Sequence, residues 1–418
     1  MTPVIKQRIE QIRRGNVPEG YQKTKDGIFP TDWHTQKMKQ WVALAERPVT
    51  LEDDKRYRLV TVRRGFGGVD LRGEYLGKDI LVKNYFRARQ GDFLISKRQI
   101  AHGACGVVPE SLDGAVVSNE YNVFVPNQGT NIEMFNLMMQ LPHYTRLFYL
   151  MSDGVHIEKL LFKTQDWMRR QLAMPPIEEQ QKIAAILTTQ DKVIELKEKR
   201  LAEKQRQKKY LMQQLLTGKK RLPGFSEEWK KVKIGSFIKE IDERSTVNNQ
   251  YEILSVTKNG MVFQSSHFNK QIASENNVGY KVVRRGNLAF STMNLWMGSL
   301  DTLRICDTGI VSPAYKVFEF NQSLIVVNFA ENYMKSAEMI WLYKANSEQG
   351  ASIVRRNLDL QALLNSEVAL PGISEQTAIA EVLSTADREI ELLQQDIEQE
   401  KQKKKALMQL LLTGIVRV

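Results

Sequence analysis

The sequence predicts an α+β protein that is built twice from one plan, each copy being a small twisted sheet with helices followed by one long helix. Three observations predict this: an internal repeat at an offset of about 196 residues, two sustained heptad patterns, and short strand-like runs between them. Because both copies keep the same order of elements, we expect the fold to have an internal pseudo-two-fold symmetry.

The repeat is strongest toward the end of each copy, where two segments recur. They are Pro175-Pro176-Ile177-Glu178-Glu179-Gln180, which recurs as Pro371-Gly372-Ile373-Ser374-Glu375-Gln376, and Leu215-Leu216-Thr217-Gly218, which recurs as Leu411-Leu412-Thr413-Gly414. The same offset aligns Trp33 with Trp229, but the intervening stretches match only faintly. The copies therefore share a frame and differ in content, which predicts the same kind of task on different targets.

Two ranges, Glu178 to Thr217 and Ser374 to Thr413, are predicted to be long helices, because each follows a proline, carries glutamate in its first turn and ends at a glycine. Apolar residues recur at spacing seven, with one lysine in each series: Leu187, Ile194, Leu201, Lys208 and Leu215, then Leu383, Ile390, Ile397, Lys404 and Leu411. Heptads flanked by charge are typical of coiled coils. We predict that the helices pair as an antiparallel coiled coil of about 60 Å; the alternative is that each packs on its own module.

The stretches between the helices are predicted to be α+β modules, because short runs rich in Val, Ile, Tyr and Phe alternate with Gly, Asn and Asp. Strands are expected at 58–62, 93–96, 115–117 and 122–125, and helices at 134–151 and 333–345. The predicted domains are an N-terminal helical arm (1–27), a first module (28–170), a central long helix (171–222), a second module (223–366) and a C-terminal long helix (367–418).

Composition favours a polyanionic partner and a reducing compartment. The 60 basic and 48 acidic residues give a net charge of +12, and lysines and arginines that displace counterions supply most non-specific affinity for nucleic acids. A merely basic protein is the alternative. The two cysteines, Cys105 and Cys306, indicate a cytoplasmic protein without a disulfide. No apolar run reaches the roughly 18 residues that a membrane span needs.

Catalytic motifs are absent from the sequence. There is no phosphate-binding loop, dinucleotide loop, H-E-x-x-H or G-x-S-x-G. Neither His102 nor Cys105 belongs to a ligand cluster, so no metal is expected. The E-x-K at Glu195 to Lys197 is expected by chance in a helix rich in both residues. We therefore predict that the chain is not an enzyme.

Two loop positions in each module carry side chains suited to reading base edges, since Arg, Gln and Asn make bidentate hydrogen bonds to purines and an indole ring can stack. The candidates in the first module are Arg63, Arg64, Lys97, Arg98 and Gln99. Those in the second are Thr257, Lys258, Thr292, Asn294, Trp296, Arg355 and Arg356. For any one residue, ordinary surface charge is an equal alternative.

Two variable modules that alternate with two near-identical helices resemble the specificity (S) subunit of type I restriction-modification systems. The resemblance covers essentially the whole chain. It is carried by Pro175, Glu179-Gln180, Leu215 to Gly218, Pro371, Glu375-Gln376 and Leu411 to Gly414, and by the Ser-x-x-Tyr-x-Val-Phe stretches at Ser118 and Ser312. Ile5 to Arg14 and Val17 to Tyr21 resemble the family's N-terminal arm, which packs near the far ends of the paired helices.

The resemblance implies that each module is a target recognition domain reading one half of a bipartite, asymmetric double-stranded DNA site, with the helices fixing the spacer. It implies two methyltransferase subunits, which methylate adenine N6 with S-adenosylmethionine, and up to two motor-nuclease subunits, which use ATP and Mg²⁺; this chain would bind no cofactor. The residues expected at the methyltransferase interface are Glu179, Gln180, Ile183, Leu187, Leu215, Leu216, Glu375, Gln376, Ile379, Leu383, Leu411 and Leu412. The competing hypotheses are a stand-alone DNA-binding regulator and a nuclease or methyltransferase.

Overall fold

The computed structural model describes residues 2–24, 27–81, 84–258, 260–267, 276–349 and 356–418. It divides into two compact units, of which the first combines residues 1–197 with 396–418 and the second comprises residues 198–395. Each unit holds one module and parts of both long helices.

The first unit begins with a short helix and continues through strands that are mostly three to eight residues long. Its helices are α1 (Pro3–Arg13), α2 (Met38–Trp41), α3 (Ile132–Met139), α4 (Pro142–Leu150) and α5 (Thr164–Met168), and the long helix α6 (Ile177–Leu215) follows. Its strands are β1 (Tyr21–Thr24), β2 (Gly27–Pro30), β3 (His34–Lys37), β4 (Val42–Leu44), β5 (Pro48–Val49), β6 (Arg56–Val62), β7 (Val69–Leu76), β8 (Tyr85–Arg87), β9 (Phe93–Ser96), β10 (Cys105–Val107), β11 (Val116–Ser118), β12 (Tyr121–Pro126), β13 (Ser152–Asp153), β14 (Leu161–Phe162) and β15 (Gln171–Met174).

The described part of the second unit largely repeats this order with fewer strands. Its strands are β16 (Lys230–Lys233), β17 (Ile238–Ile241), β18 (Leu254–Thr257), β19 (Gly260–Phe263), β20 (Lys281–Arg284), β21 (Leu288–Ser291), β22 (Leu300–Thr302), β23 (Thr308–Val311), β24 (Tyr315–Phe320), β25 (Ser347–Gln349), β26 (Arg356–Leu358) and β27 (Glu367–Leu370). Its helices are α7 (Ile234–Phe237), α8 (Gln264–His267), α9 (Val327–Tyr333), α10 (Ala337–Ala345) and α11 (Leu360–Asn365), and the long helix α12 (Ile373–Leu411) follows.

Both modules contain the same antiparallel four-stranded sheet. Its strand order is β10-β9-β12-β4 in the first unit and β22-β21-β24-β17 in the second. The central strands β9 and β21 are fully buried in both, because their runs of apolar residues are covered on both faces. The surrounding strands differ: the first module adds a five-stranded sheet, β5-β8-β11-β6-β7, whereas the second has the separate pairs β18-β19 and β20-β23. The four-stranded sheet is therefore the shared frame.

Each module buries an aromatic core against its own helices. In the first, Trp167 stacks on Phe148 with ring centroids 6.0 Å apart and lies beside Phe124. In the second, Phe290 stacks on Phe318 at 5.2 Å. Burying side chains of this kind contributes roughly 1.5 to 3 kcal/mol each, so these cores hold the frame on which the loops are mounted.

The long helices combine both packing arrangements that the heptads allowed. The first-unit core includes Ile183 and Leu187 near the start of α6, so this helix end packs on its own module. Farther along α6 the helices contact each other, as Asp191 pairs with Lys404 at 2.6 Å in the first unit and Lys208 with Asp387 at 2.5 Å in the second. Lys197 also pairs with Asp396 in the first unit, and Lys204 with Glu389 in the second. Within each unit the α12 numbers therefore fall as the α6 numbers rise, which confirms the predicted antiparallel pairing.

Two sequence predictions about helices need correction. The helix expected at 134–151 is two helices, α3 and α4, because Pro142 lacks the N–H that an uninterrupted helix would use and instead occupies the first turn of α4. The helix expected at 333–345 is the end of α9 followed by α10, whose start is capped by the Ser336 hydroxyl. The predicted strands at 58–62, 93–96 and 122–125 are confirmed by β6, β9 and β12.

Two further chemical features concern thiols and membranes. Both cysteines are free thiols, and burial raises the pKa of the Cys105 thiol. Among the described residues, no helix is long and apolar enough to cross a membrane. In the same part of the chain, no group of three or more His, Cys, Asp or Glu side chains is placed to hold a metal ion.

Candidate nucleic-acid interface and helix junctions

The two loops that were predicted to read DNA in the first module are joined to each other. The backbone N–H of Gly65 donates to the carbonyl of His102 at 2.7 Å, and that of Phe66 donates to the carbonyl of Gly103 at 2.8 Å. Gly103 has a left-handed backbone (φ 73°), and a Cβ there would lie 3.0 Å from the Phe66 ring. The loops after β6 and β9 therefore form one continuous surface.

The basic side chains of this surface are held by carboxylates. Arg63 contacts Asp70, Arg64 lies 2.6 Å from Glu158, and Arg98 lies 2.7 Å from Glu120. All three guanidinium groups are more than half exposed, and exposed ion pairs contribute only about 0 to 1 kcal/mol. A DNA phosphate or a guanine edge can therefore replace these carboxylates at low cost.

Lys97 and Gln99 are placed differently from the arginines. The ammonium group of Lys97 donates to the carbonyl of Asn119 at 2.5 Å. Gln99 is half-buried, and its Oε1 atom is shielded from solvent without a donor among the described residues. In this conformation the amide oxygen of Gln99 is therefore not presented to a base edge.

A third loop, which the sequence prediction missed, completes this surface. It is the hairpin of β13 and β14, whose Phe162 N–H donates to the Lys97 carbonyl at 2.9 Å and whose Glu158 holds Arg64. Exposed apolar side chains, Val155, Ile157 and Leu161, lie on it. Strands of two residues are too short to show an alternation of apolar and polar side chains. The remaining signal is the internal repeat, because β25 and β26 of the second module lie about 196 residues after β13 and β14.

In the second module the equivalent hairpin brings two predicted residues together. The Arg356 N–H donates to the Met293 carbonyl at 3.3 Å, and its guanidinium lies over the Trp296 ring, 5.9 Å from the centroid. The same guanidinium donates to the Ser347 carbonyl at 2.9 Å. Trp296 is half-buried, and a face of its ring carries the guanidinium as a cation–π pair.

The remaining predicted residues of the second module lie on the two loops named from the sequence. Thr257 closes the β18–β19 turn by donating to the Gly260 carbonyl at 2.9 Å, and Lys258 is exposed at the tip. Thr292 and Asn294 are half-buried in the loop after β21. Arg355 lies outside the described residues.

The repeated Glu-Gln pair at the start of each long helix has the same function in both units. The Gln180 side chain accepts from the Asn131 N–H at 2.8 Å and donates to the carbonyls of Gly129 (3.1 Å) and Pro175 (2.8 Å). Gln376 accepts from Val326 N–H at 2.8 Å and donates to the carbonyls of Leu324 and Pro371, both at 2.9 Å. Each glutamine thus fastens a helix start to the loop before α3 or α9.

The preceding glutamate receives an arginine from beyond the end of the other long helix. In the first unit, Arg417 donates to both oxygens of Glu179, at 2.7 and 2.8 Å, and to both oxygens of Asp32, at 2.9 and 2.6 Å. These carboxylates raise the pKa of Arg417, and Arg417 in turn lowers the pKa of Asp32. Bidentate pairs of this kind fix orientation as well as adding energy.

The second unit repeats this clamp with one carboxylate fewer. Arg221 donates to Glu375 at 2.5 and 2.6 Å, and the indole of Trp229 donates to the same carboxylate at 3.2 Å. Arg221 and Arg417 are separated by the repeat offset, so their equivalence was visible in the sequence. The sequence prediction nevertheless omitted both.

The preceding helix end explains the repeated Leu-Leu-Thr-Gly segment. Its two leucines are buried in each unit. Gly218 and Gly414 adopt left-handed backbone conformations (φ 67° and 69°), as is common just after a helix. A Cβ on Gly414 would lie only 2.5 Å from the Pro30 ring, so this position requires glycine twice over.

The sequence placed twelve helix-end residues at the methyltransferase interface, and the structure shows how they are packed. All twelve residues expected at the methyltransferase interface are buried by their own chain: Glu179, Gln180, Ile183, Leu187, Leu215, Leu216, Glu375, Gln376, Ile379, Leu383, Leu411 and Leu412. Little of these side chains is therefore left to contact a partner directly. These residues hold the helix ends in place, and the position of the methyltransferase interface stays a prediction.

Exposed residues on the long helices also repeat. Leu196 and Leu392 are 64% and 58% exposed and occupy equivalent positions in the two copies. One turn earlier, the exposed cations Lys192 and Arg388 are likewise equivalent. Exposed leucines are not needed for the fold, so a surface repeated in both copies is a candidate docking face.

Comparison with known families identifies the chain. The family model of the type I restriction modification DNA specificity domain matches residues 66–205 and 226–402, one match in each copy of the repeat. The chain belongs to this family. It is a type I restriction-modification specificity subunit with two recognition domains, as the resemblance predicted.

Curated relatives agree with this assignment. The putative type I restriction enzyme MjaX specificity subunit of Methanocaldococcus jannaschii is 23% identical, over 96% of this chain and 97% of that protein. The type I restriction enzyme MjaVIII specificity subunit of the same organism is 26% identical, over 63% of this chain and 65% of that protein.

Solved structures confirm the predicted fold class. The HsdS subunit from Thermoanaerobacter tengcongensis has a TM-score of 0.51 at 18% identity, over 93% of this chain and 98% of that chain. The type I restriction-modification S subunit from M. genitalium has a TM-score of 0.52 at 10% identity, over 91% and 96%. At such identities the likeness concerns the fold alone.

Proposed function

We propose that this specificity subunit reads a bipartite, asymmetric DNA sequence, one half with each recognition domain, without performing chemistry itself. The observation that carries the proposal is the contrast between the shared four-stranded sheet and the unlike loops mounted on it. In the first domain these loops present arginines paired with exposed carboxylates, and in the second they present Trp296 with Arg356. Different loops on one frame are suited to two different half-sites.

The energetics of base reading favour such a division. Each mismatched base pair costs about 1 to 3 kcal/mol, roughly additively. Two domains on one chain also make the second contact intramolecular, which raises the affinity for sites with the correct spacing. The long helices, each 39 residues and therefore about 60 Å long, would set that spacing.

The partners would be two adenine-N6 methyltransferase subunits and up to two motor-nuclease subunits. The methyltransferases would dock on the exposed repeated faces around Leu196 and Leu392, where the two copies of the chain offer equivalent residues. S-adenosylmethionine, ATP and Mg²⁺ would belong to these partners, and base flipping would occur in the methyltransferase. The assembly would act in the cytoplasm, on double-stranded DNA and without a membrane.

Co-expression with a type I methyltransferase subunit tests this function. We expect a stable complex that methylates adenine within a split sequence, measured by methylome sequencing. A chain that binds its DNA site tightly alone and never associates with a methyltransferase would contradict the proposal and favour a stand-alone regulator.

The docking face is tested in the same experiment by a double substitution. Leu196→Asp with Leu392→Asp should abolish co-purification of the methyltransferase, because two charges replace exposed apolar contacts. The control, Gln205→Asp with Gln394→Asp, adds the same charges at exposed positions on other faces of the helices. Equal retention of the methyltransferase by both variants would exclude this face.

A further inference from the structure

A polar cluster interrupts the apolar seam between the long helices in the first unit. Gln190 is only 7% exposed and donates to the Glu400 carboxylate at 2.7 Å. Lys197 donates to the same carboxylate at 2.9 Å and to Asp396 at 2.8 Å. Lys197 and Gln190 lower the pKa of Glu400 to about 2. All four side chains therefore satisfy one another within the seam.

The repeat does not preserve this cluster. At the equivalent positions of the other copy, Gln190 becomes Ala386 and Lys197 becomes Leu393, while Asp396 and Glu400 correspond to Arg200 and Lys204. In the second unit, Lys204 instead pairs with Glu389 at 2.6 Å. The cluster positions that are basic in α6, Lys197, Arg200 and Lys204, are thus apolar or acidic in α12.

The repeat does preserve the ion pair that lies nearer each module. Asp191 with Lys404 and Asp387 with Lys208 are the same pair under the repeat offset. This pair would form in any antiparallel combination of the two helices, so it stabilises pairing without selecting a partner.

Pairing of two like helices would create repulsion at the polar cluster. Two copies of α6 in the observed register would bring Lys197 of each next to Arg200 and Lys204 of the other, since these residues occupy the positions of Asp396 and Glu400. Two copies of α12 would also repel each other, because residues 385–400 carry six acidic side chains and one basic side chain. The equivalent residues of α6, 189–204, carry four acidic and five basic side chains, so they complement α12. Like charges that face each other across a seam disfavour pairing and set partner choice.

We propose that the seam encodes partner choice: the first long helix accepts the second long helix and rejects another copy of itself. Polar groups at single seam positions are known to specify register and partner at some cost in stability. The consequence is that one assembly holds one recognition domain of each kind. Pairing of like helices would instead combine two identical domains, which would read a symmetric site.

Two variants of the full chain test the proposal. The one-sided variant, Leu393→Lys with Asp396→Arg and Glu400→Lys, gives α12 the basic set of α6 and so reproduces the self-pairing seam within one chain. The exchange variant adds Ala386→Gln, Glu389→Val, Gln190→Ala, Val193→Glu, Lys197→Leu, Arg200→Asp and Lys204→Glu, so that the two sets trade places. By the pseudo-symmetry, the exchange restores every complementary contact in the mirrored position.

The measurement is the thermal midpoint at low and high salt, together with the mass in solution. We expect the one-sided variant to melt roughly 4 to 8 °C below the parent at low salt, with part of the loss recovered at 1 M salt because the repulsion is screened. The exchange variant should melt near the parent and remain monomeric. A one-sided variant as stable as the parent, or an exchange variant as unstable as the one-sided variant, would overturn the proposal. If the one-sided variant does not fold, an exchange variant that folds supports the proposal, and an exchange variant that also fails to fold overturns it.

Discussion

The helix junctions of this chain are alike in the two units, whereas the recognition loops differ. At the junctions, Gln180 and Gln376 make the same three hydrogen bonds to equivalent backbone groups. In the loops, Arg64 reaches a carboxylate where the second domain stacks Arg356 on Trp296. Likeness at the junctions follows from backbone groups that any sequence must satisfy. Unlikeness in the loops leaves room for two targets.

The largest effects should come from the junction glutamines. Gln180→Met and Gln376→Met each leave one backbone N–H and two carbonyls without their side-chain partner, and unsatisfied buried groups cost about 1 to 3 kcal/mol each. We expect each variant to lose about 3 kcal/mol of unfolding free energy in chemical denaturation. Because the two junctions are alike, losses of unfolding free energy that differ by more than about twofold would contradict the equivalence of Gln180 and Gln376.

The arginine clamps should reveal a difference within this likeness. Arg417→Ala removes contacts to two carboxylates and leaves the buried Glu179 with only the backbone N–H of Val418, at 3.4 Å, whereas Arg221→Ala removes contacts to Glu375 alone. We expect Arg417→Ala to lose about 2 to 3 kcal/mol of unfolding free energy and Arg221→Ala to lose somewhat less. Denaturant midpoints measure both, with the exposed Arg206 changed to alanine as the control. A larger loss for Arg221→Ala would contradict the assigned geometry.

Loop substitutions should affect DNA binding without affecting stability. Arg64→Ala should weaken binding by about 1 to 3 kcal/mol and relax base preference in one half-site, and Trp296→Ala should do so in the other. Anisotropy titrations of the methyltransferase complex against systematically mutated sites measure both. The control is Lys23→Ala, an exposed residue on the N-terminal hairpin. A single substitution that relaxed the base preference in both half-sites would contradict the proposal that each domain reads one half-site.

Acid should weaken the seam cluster selectively. The pKa of Glu400 is held at about 2, below the ordinary glutamate value of about 4.3. Its stabilising contribution is therefore complete above about pH 4.3 and is lost as the pH falls toward 2. Thermal midpoints of the parent and Glu400→Gln should converge across this range, whereas the difference between the parent and the exposed Glu398→Gln control should not narrow in the same way. A constant difference between parent and Glu400→Gln would contradict the contact.

The sequence predicted the parts of the fold that periodicity and repetition record. The heptads placed α6 and α12, and the repeat predicted two equivalent modules. The break at Pro142 was missed because the apolar pattern continues through it, and the hairpin at β13 and β14 was missed because its strands are too short to show alternation.

The candidate sites were harder to predict than the fold. Identity between the copies marks residues that must be the same, but it does not distinguish a buried support from a contact surface. Glu179 and Gln180 were assigned to an interface for that reason, whereas Arg417 and a module loop cover them. Glu179 contacts a residue more than two hundred positions away, and Gln180 contacts one about fifty positions away. Contacts between such distant residues leave no local sequence pattern that could predict them.

Exchange of one recognition domain tests the central claim most directly. Residues 223–366 would be replaced by the matching domain of a relative, and the methylated adenines in cells carrying the complete system would be sequenced. We predict that one half of the methylated sequence changes while the other half and the spacer stay as in the parent. A change in both halves, or in neither, would contradict it.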